Sequence, residues 1–114
     1  MIGAAVEVHS HLGPGLLESI YEMCLSKELE ECGISYERQK SVPLKYKGIV
    51  LEGGYRIDFL IENEIILELK AVEDISPLHV AQVLTYLRLL NLKTALLINF
   101  NVPLLKQGIK RLMI

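Results

Sequence analysis

The chain has 114 residues, 51% hydrophobic and 23% charged, a length that holds one core and leaves little room for a second module, so a single domain over residues 1–114 is expected. Its formal net charge of −2 and pI near 5.9 exclude an overall basic surface, leaving only local clusters at Arg38, Lys40, Lys45 and Lys47 and at Lys106, Lys110 and Arg111 for phosphate binding. No apolar run approaches the roughly 20 residues that cross a membrane, and residues 1–9 lack the basic start and apolar stretch of a secretion signal, so a cytoplasmic protein with no membrane partner is expected.

Ile2, Ala5, Val6 and His9 fall at helical spacing and predict a short helix over residues 2–11. Gly13-Pro14-Gly15 then imposes a bend. A second helix is expected from about Pro14, since proline suits a first turn, to Glu31. Leu17, Tyr21, Cys24 or Leu25, and Leu29 form its buried stripe, and Gly33 ends it. Cys24 and Cys32 match no zinc or redox spacing and read as small hydrophobes on this helix. Glu18 stands at the edge of the stripe, either as a first-turn carboxylate favoured by the helix dipole or as one pointing into a cleft.

Ser35 to Lys40 and Val42 to Tyr46 read as strands, with Pro43 hinting at a sheet edge. Lys47-Gly48 and Gly53-Gly54 mark turns. Ser76-Pro77 opens a helix to about Leu90, serine as cap and proline at the first position. Thr94 to Ile98 is nearly continuously apolar, as in a strand covered on both faces, and residues from 103 to about 111 are expected to form a closing helix with Leu104, Leu105, Ile109 and Leu112 inward. A parallel crossover from the Glu68 strand through residues 77–90 to the Thr94 strand gives an α/β sandwich, a mixed sheet with helices on both faces.

Tyr55 to Ala71 holds the chemistry. Two apolar runs flank a polar break at Glu62 to Glu64, which predicts a hairpin. Alternation puts Tyr55, Ile57, Phe59 and Ile61 on one face, with Arg56, Asp58 and Leu60 on the other. A turn centred on Asn63 sets Asp58 directly across from Glu68, with Lys70 on the same face. Opposed like charges are destabilising, so such a pair calls for an offsetting charge, of which a hard divalent cation is the simplest. The competing reading is a solvated hairpin face.

Asp58, Glu68 and Lys70 together resemble the core of the PD-(D/E)xK phosphodiesterase superfamily. Gln82-Val83-Leu84-Thr85-Tyr86 resembles the Q-xxx-Y motif of its RecB-type nucleases, and Gly15-Leu16-Leu17-Glu18-Ser19-Ile20-Tyr21 has the form that names the GxxExxY family within it. Val8-His9, Leu12-Gly13-Pro14-Gly15, Tyr46-Lys47-Gly48 and Leu97-Ile98-Asn99-Phe100 are similar to further phrases of that family, so the likeness covers essentially the whole chain.

The resemblance implies a restriction-endonuclease-like three-layer sandwich and metal-dependent hydrolysis of nucleic acid, DNA ahead of RNA. It implies that Asp58 and Glu68 hold Mg2+ or Mn2+ with help from the Leu69 carbonyl, and that Lys70 positions the attacking water and stabilises charge on the phosphate. Glu18 becomes a further metal or water ligand, Gln82 and Tyr86 orient the lysine or the substrate backbone, and His9 is a further candidate metal ligand. Read from residues alone, His9 is a structural histidine. A catalytically inactive binding or scaffold protein of the same fold is the alternative. Leu87, Leu89, Leu90 and Leu92, with the apolar closing segment, exceed what one small core hides, and a homodimer is expected.

Overall fold

The structure, a computed structural model, describes residues 1–51 and 54–114. It contains helices α1 (Ile2–Leu12), α2 (Glu18–Glu31) and α3 (Pro77–Leu90), and strands β1 (Tyr36–Ser41), β2 (Leu44–Tyr46), β3 (Ile49–Leu51), β4 (Arg56–Ile61), β5 (Ile65–Lys70), β6 (Thr94–Asn99) and β7 (Ile109–Met113). Five strands form a mixed sheet in the order β1-β4-β5-β6-β7, while β2 and β3 pair as a separate ribbon. The pair β5 and β6 is parallel, as the crossover through α3 requires.

Three layers result. One face of the sheet, with Phe59, Ile61, Leu67, Leu69, Leu96 and Ile98, packs against α1 and α2. The opposite face, with Ile57, Leu60, Ile66, Ala95 and Leu97, packs against α3. From α2, Tyr21, Leu25 and Leu29 recur every four residues and are fully buried, each aliphatic side chain contributing about 1.5–3 kcal/mol. The cap of α3 is reciprocal: Ser76 Oγ accepts the His79 N–H at 3.2 Å, and His79 Nδ1 accepts the Ser76 N–H at 3.0 Å. Such a cap contributes about 1 kcal/mol.

Several expectations need correction. The second helix starts at Glu18, not Pro14, because Gly13 (φ 66°) and Gly15 (φ 97°) hold left-handed conformations that no helix contains. Residues 103–111 form a 3-10 turn at Leu105–Gly108 followed by β7, not a helix. The buried strand β6 would otherwise present an unpaired backbone edge, and β7 covers it from Thr94↔Met113 to Ile98↔Ile109. Cys32 is exposed beyond the end of α2, whereas Cys24 packs at the core margin. Finally, Leu87 is buried, and Leu89, Leu90 and Leu92 pack against the α3-side core instead of forming an outer apolar face.

The expected turn at Gly53-Gly54 lies partly outside the described residues, since Gly53 is not among them. The Lys47-Gly48 turn is present, with positive φ at both residues (45° and 85°), as a two-residue type I′ hairpin turn requires. Among the described residues, no helix is long and apolar enough to cross a membrane.

Candidate active site

The hairpin of β4 and β5 turns at Glu62 and Asn63, both with positive φ, and the Glu64 N–H closes on the Ile61 carbonyl at 2.9 Å. Ile61↔Ile65, Leu60↔Ile66 and Phe59↔Leu67 are in register. One step further the same register sets Asp58 against Glu68, and there the regular ladder gives out. Asp58 Oδ2 accepts the Leu69 N–H at 2.8 Å.

The distortion extends into β1. Its pairing with β4 joins Arg38↔Phe59 and Lys40↔Ile57, with Gln39 and Asp58 missing between them. Gln39 carries a φ of 54°, rare and costly for a non-glycine residue in a strand. Strict alternation fails at this point: Ile57 faces the α3-side core while Phe59 and Ile61 face the α2 side. Asp58 therefore sits where the strand changes faces, and the expected common face for Ile57, Phe59 and Ile61 is corrected.

Asp58 lines a cleft of about 200 Å³ with Glu18, Ser19, Glu22, Gln39 and Leu69. Glu18, at the first residue of α2, is exposed there. Its placement depends on Tyr21, whose buried hydroxyl donates to the Gly13 carbonyl at 2.6 Å and accepts the Leu16 N–H at 3.1 Å. The tyrosine of G-xx-E-xx-Y thus braces the loop from which Glu18 emerges, and the motif's Gly15 supplies that loop's positive φ of 97°. Glu22, one turn on, accepts from Arg38 Nε at 2.9 Å and from the Gln39 amide, and its Oε2 forms an ion pair with Arg38 Nη2 at 2.9 Å. The same amide nitrogen reaches Asp58 Oδ1 at 3.4 Å.

Glu68 is 6% exposed and faces the α3 side. Its Oε1 is buried and has no hydrogen-bond partner. Burial pushes its carboxyl up from the usual 4.5 to about 9, helped by the adjacent Asp58 charge and a hydrogen bond to Asp58, and opposed by the Lys70 ammonium. A shift of that size is worth several kcal/mol at neutral pH, on the order of 1.4 kcal/mol per unit. Uncompensated, the pair takes up a positive charge, whether a proton or a cation. Magnesium is commonly bound through one or two carboxylates, with water and phosphate completing the shell, so the donor set fits such an ion. Among the described residues, no group of three or more His, Cys, Asp or Glu side chains forms a cluster of ligands.

Tyr86 of α3 is 6% exposed, and its hydroxyl is raised above its ordinary pKa by burial first and then by the Glu68, Tyr55 and Asp58 charges. Gln82 is exposed one turn earlier, and the two line a groove on the α3 side, opposite the Asp58 cleft. Lys70 is half-buried, its backbone carbonyl accepting the Phe100 N–H at 2.8 Å.

The structure thus brings together Asp58, Glu68 and Lys70, with Tyr86 behind Glu68 and Glu18 across the cleft from Asp58. It does not bring His9 to them. His9 Nε2 lies 2.9 Å from the Val102 carbonyl, its ring is 6.1 Å from Phe100, and it lines a different cavity with Pro103 and Leu105.

Three residues at or behind the site were not anticipated. Glu22 and Gln39 have no local signature, because their roles depend on a β1 distortion that no pattern announces. Asn99 is buried at 3% exposure, and its Nδ2 donates to the Val72 carbonyl at 2.8 Å while its Oδ1 accepts the Val72 N–H at 3.1 Å. It fixes the chain just after Lys70, and a polar residue ending a fully apolar strand was the available clue.

A family model described as the PD-(D/E)XK nuclease superfamily matches residues 1–112. No curated protein and no solved structure matches the chain. Nucleases of that superfamily generally use divalent metals and act on nucleic acid, and the five-stranded mixed sheet between helices is the restriction-endonuclease-like sandwich. With its two carboxylates meeting where the central hairpin splays, and with the family match running almost from end to end, the chain belongs to the PD-(D/E)XK nuclease superfamily.

Proposed function

We propose that this protein hydrolyses phosphodiester bonds of nucleic acid, with Asp58 and Glu68 holding Mg2+ or Mn2+ and Glu18 contributing from across the cleft. The single observation behind this reading is the buried, partnerless Glu68 Oε1 beside the Asp58 carboxylate. Buried polar atoms in native proteins are almost always satisfied, and the exceptions cluster where an ion or a chemical role is missing from view.

Held by Asp58 and Glu68, a divalent cation would supply the charge that offsets the pair and would polarise water and phosphate oxygen. The chain's own groups do the rest. Lys70 places an ammonium beside the carboxylates to orient the attacking water and stabilise charge developing on the phosphate. Asp58 is held by the Leu69 N–H and the Gln39 amide, so its carboxylate is pre-oriented. Tyr86 keeps water from the back of Glu68, and Gln82 reaches toward the substrate strand.

The test is cleavage of labelled single- and double-stranded DNA and RNA with Mg2+ or Mn2+. Wild-type protein should cleave at least one of them. Asp58→Ala and Lys70→Ala should each keep the circular dichroism spectrum and lose at least about 100-fold in rate. Unchanged cleavage by either variant removes the proposed site. Binding without cleavage by wild type would instead favour the inactive, nucleic-acid-binding reading.

A further inference from the structure

On the α3 side of Glu68, Gln82 and Tyr86 line a groove whose remaining walls have no role in the chemistry above. It has a volume of about 320 Å³ and is walled by Leu44, Tyr55, Leu78, Gln82, Tyr86 and Leu89, at the small end of ligand pockets, which run from about 300 Å³ upward. The rings of Tyr55 and Tyr86 lie 6.3 Å apart between centroids and are tilted by 54°. Tyr55 is 47% exposed and Leu78 is 77% exposed, so the apolar wall is open to solvent. Tyr86 packs in the α3-side core with Ile57, Ile66 and Leu97, of which Ile57 precedes Asp58 in β4 and Leu97 pairs with Glu68 across β5 and β6. The groove therefore lies against the part of the sheet that carries the carboxylate pair.

The surface continues outward along the β2–β3 ribbon. Tyr46 lies on the same face of β2 as Leu44, two residues on. Its ring is 60% exposed, and Lys47 Nζ sits 5.5 Å from its centroid. Arg56, next to Tyr55 at the start of β4, is exposed. Lys47 forms no ion pair among the described residues. In a chain of net charge −2, aromatic rings interleaved with cations beside a candidate phosphodiester site match the demands of a nucleic-acid strand. Aromatic faces stack on bases, and cations follow the phosphates. The Gln82 amide at the rim offers a donor and an acceptor to a base edge. A base within a duplex cannot enter, because it must first leave its stack.

We infer that this groove receives one unpaired nucleobase of the substrate strand, stacked on Tyr55 and set over Tyr86 with the adjoining phosphodiester at the Asp58–Glu68 pair. This rests on the nuclease reading and adds to it a substrate class: single-stranded or locally unpaired nucleic acid.

The experiment is fluorescence anisotropy in EDTA, where no cleavage consumes the probe. The probes are end-labelled single strands of DNA and RNA, the same DNA strand carrying abasic sites, and its duplex. The base-bearing strand should bind about tenfold tighter than the duplex or the abasic strand. Tyr55→Ala should lose about tenfold on the base-bearing strand and nothing on the abasic one, while Tyr55→Phe, which keeps the ring, should bind as wild type does. Leu78→Asp, at a position remote from the core, should reproduce the Tyr55→Ala loss should the latter variant fold poorly.

Equal affinity for base-bearing and abasic strands overturns the inference, as does unchanged binding by Tyr55→Ala and Leu78→Asp. Mg2+-dependent cleavage measured in parallel separates the two failures. Cleavage with no base-dependent binding overturns the groove alone, whereas neither binding nor cleavage overturns the nuclease reading with it.

Discussion

Glu68 has the most unfavourable electrostatic surroundings among the described residues, and its effect on the metal-free protein is measurable. Its folded carboxyl titrates near 9 against an ordinary 4.5. Between those values the folded chain keeps a proton that the unfolded chain has lost. The contribution to stability is therefore complete below about pH 4.5 and is lost as pH climbs to about 9. Denaturation in EDTA should show stability falling across that window, and Glu68→Gln should flatten the slope and be the more stable protein at pH 8. A second residue-scale prediction concerns Tyr21. Tyr21→Phe leaves the Gly13 carbonyl and the Leu16 N–H without their partner and should lower stability by about 1–3 kcal/mol. Because that loop presents Glu18, cleavage should fall as well, by more than the loss of folded protein explains.

At the scale of elements, β4 and β5 were legible because alternating apolar residues around Asn63 admit few registers, and the Asp58–Glu68 opposition followed directly from the turn. The change of face at Asp58 was not legible. It depends on a left-handed Gln39 in a neighbouring strand, and glutamine announces no such backbone. The closing segment departs from its helical expectation for a related reason. Ile109 and Leu112 fit helical spacing as well as a strand, and only the open edge of β6 decides between them. Gly108 marks that decision physically, since a Cβ there would lie 2.1 Å from the Asn99 carbonyl oxygen. Gly108→Ala should force β6 and the 3-10 turn apart and cost about 1–3 kcal/mol by chemical denaturation, far above the effect of alanine at Gly3, where nothing lies within 4 Å.

Over the whole molecule, the two sides of the sheet divide the work around one carboxylate pair. The α2 side supplies an acidic cleft through Glu18, Glu22 and Asp58, and the α3 side supplies Tyr86 and the aromatic groove behind Glu68. The family likeness was readable because its motifs lie on elements that local sequence specifies well. The bracing by Arg38, Gln39 and Asn99 was hidden, because each acts through contacts distant in sequence.

The most direct measurement is calorimetric titration of Mn2+ into wild-type, Asp58→Asn and Glu68→Gln protein at pH 8. One site per chain should bind in the wild type, and either substitution should weaken it at least tenfold while the fold persists. Wild-type protein that takes up no ion at millimolar concentration, or variants that bind as wild type does, would contradict the account.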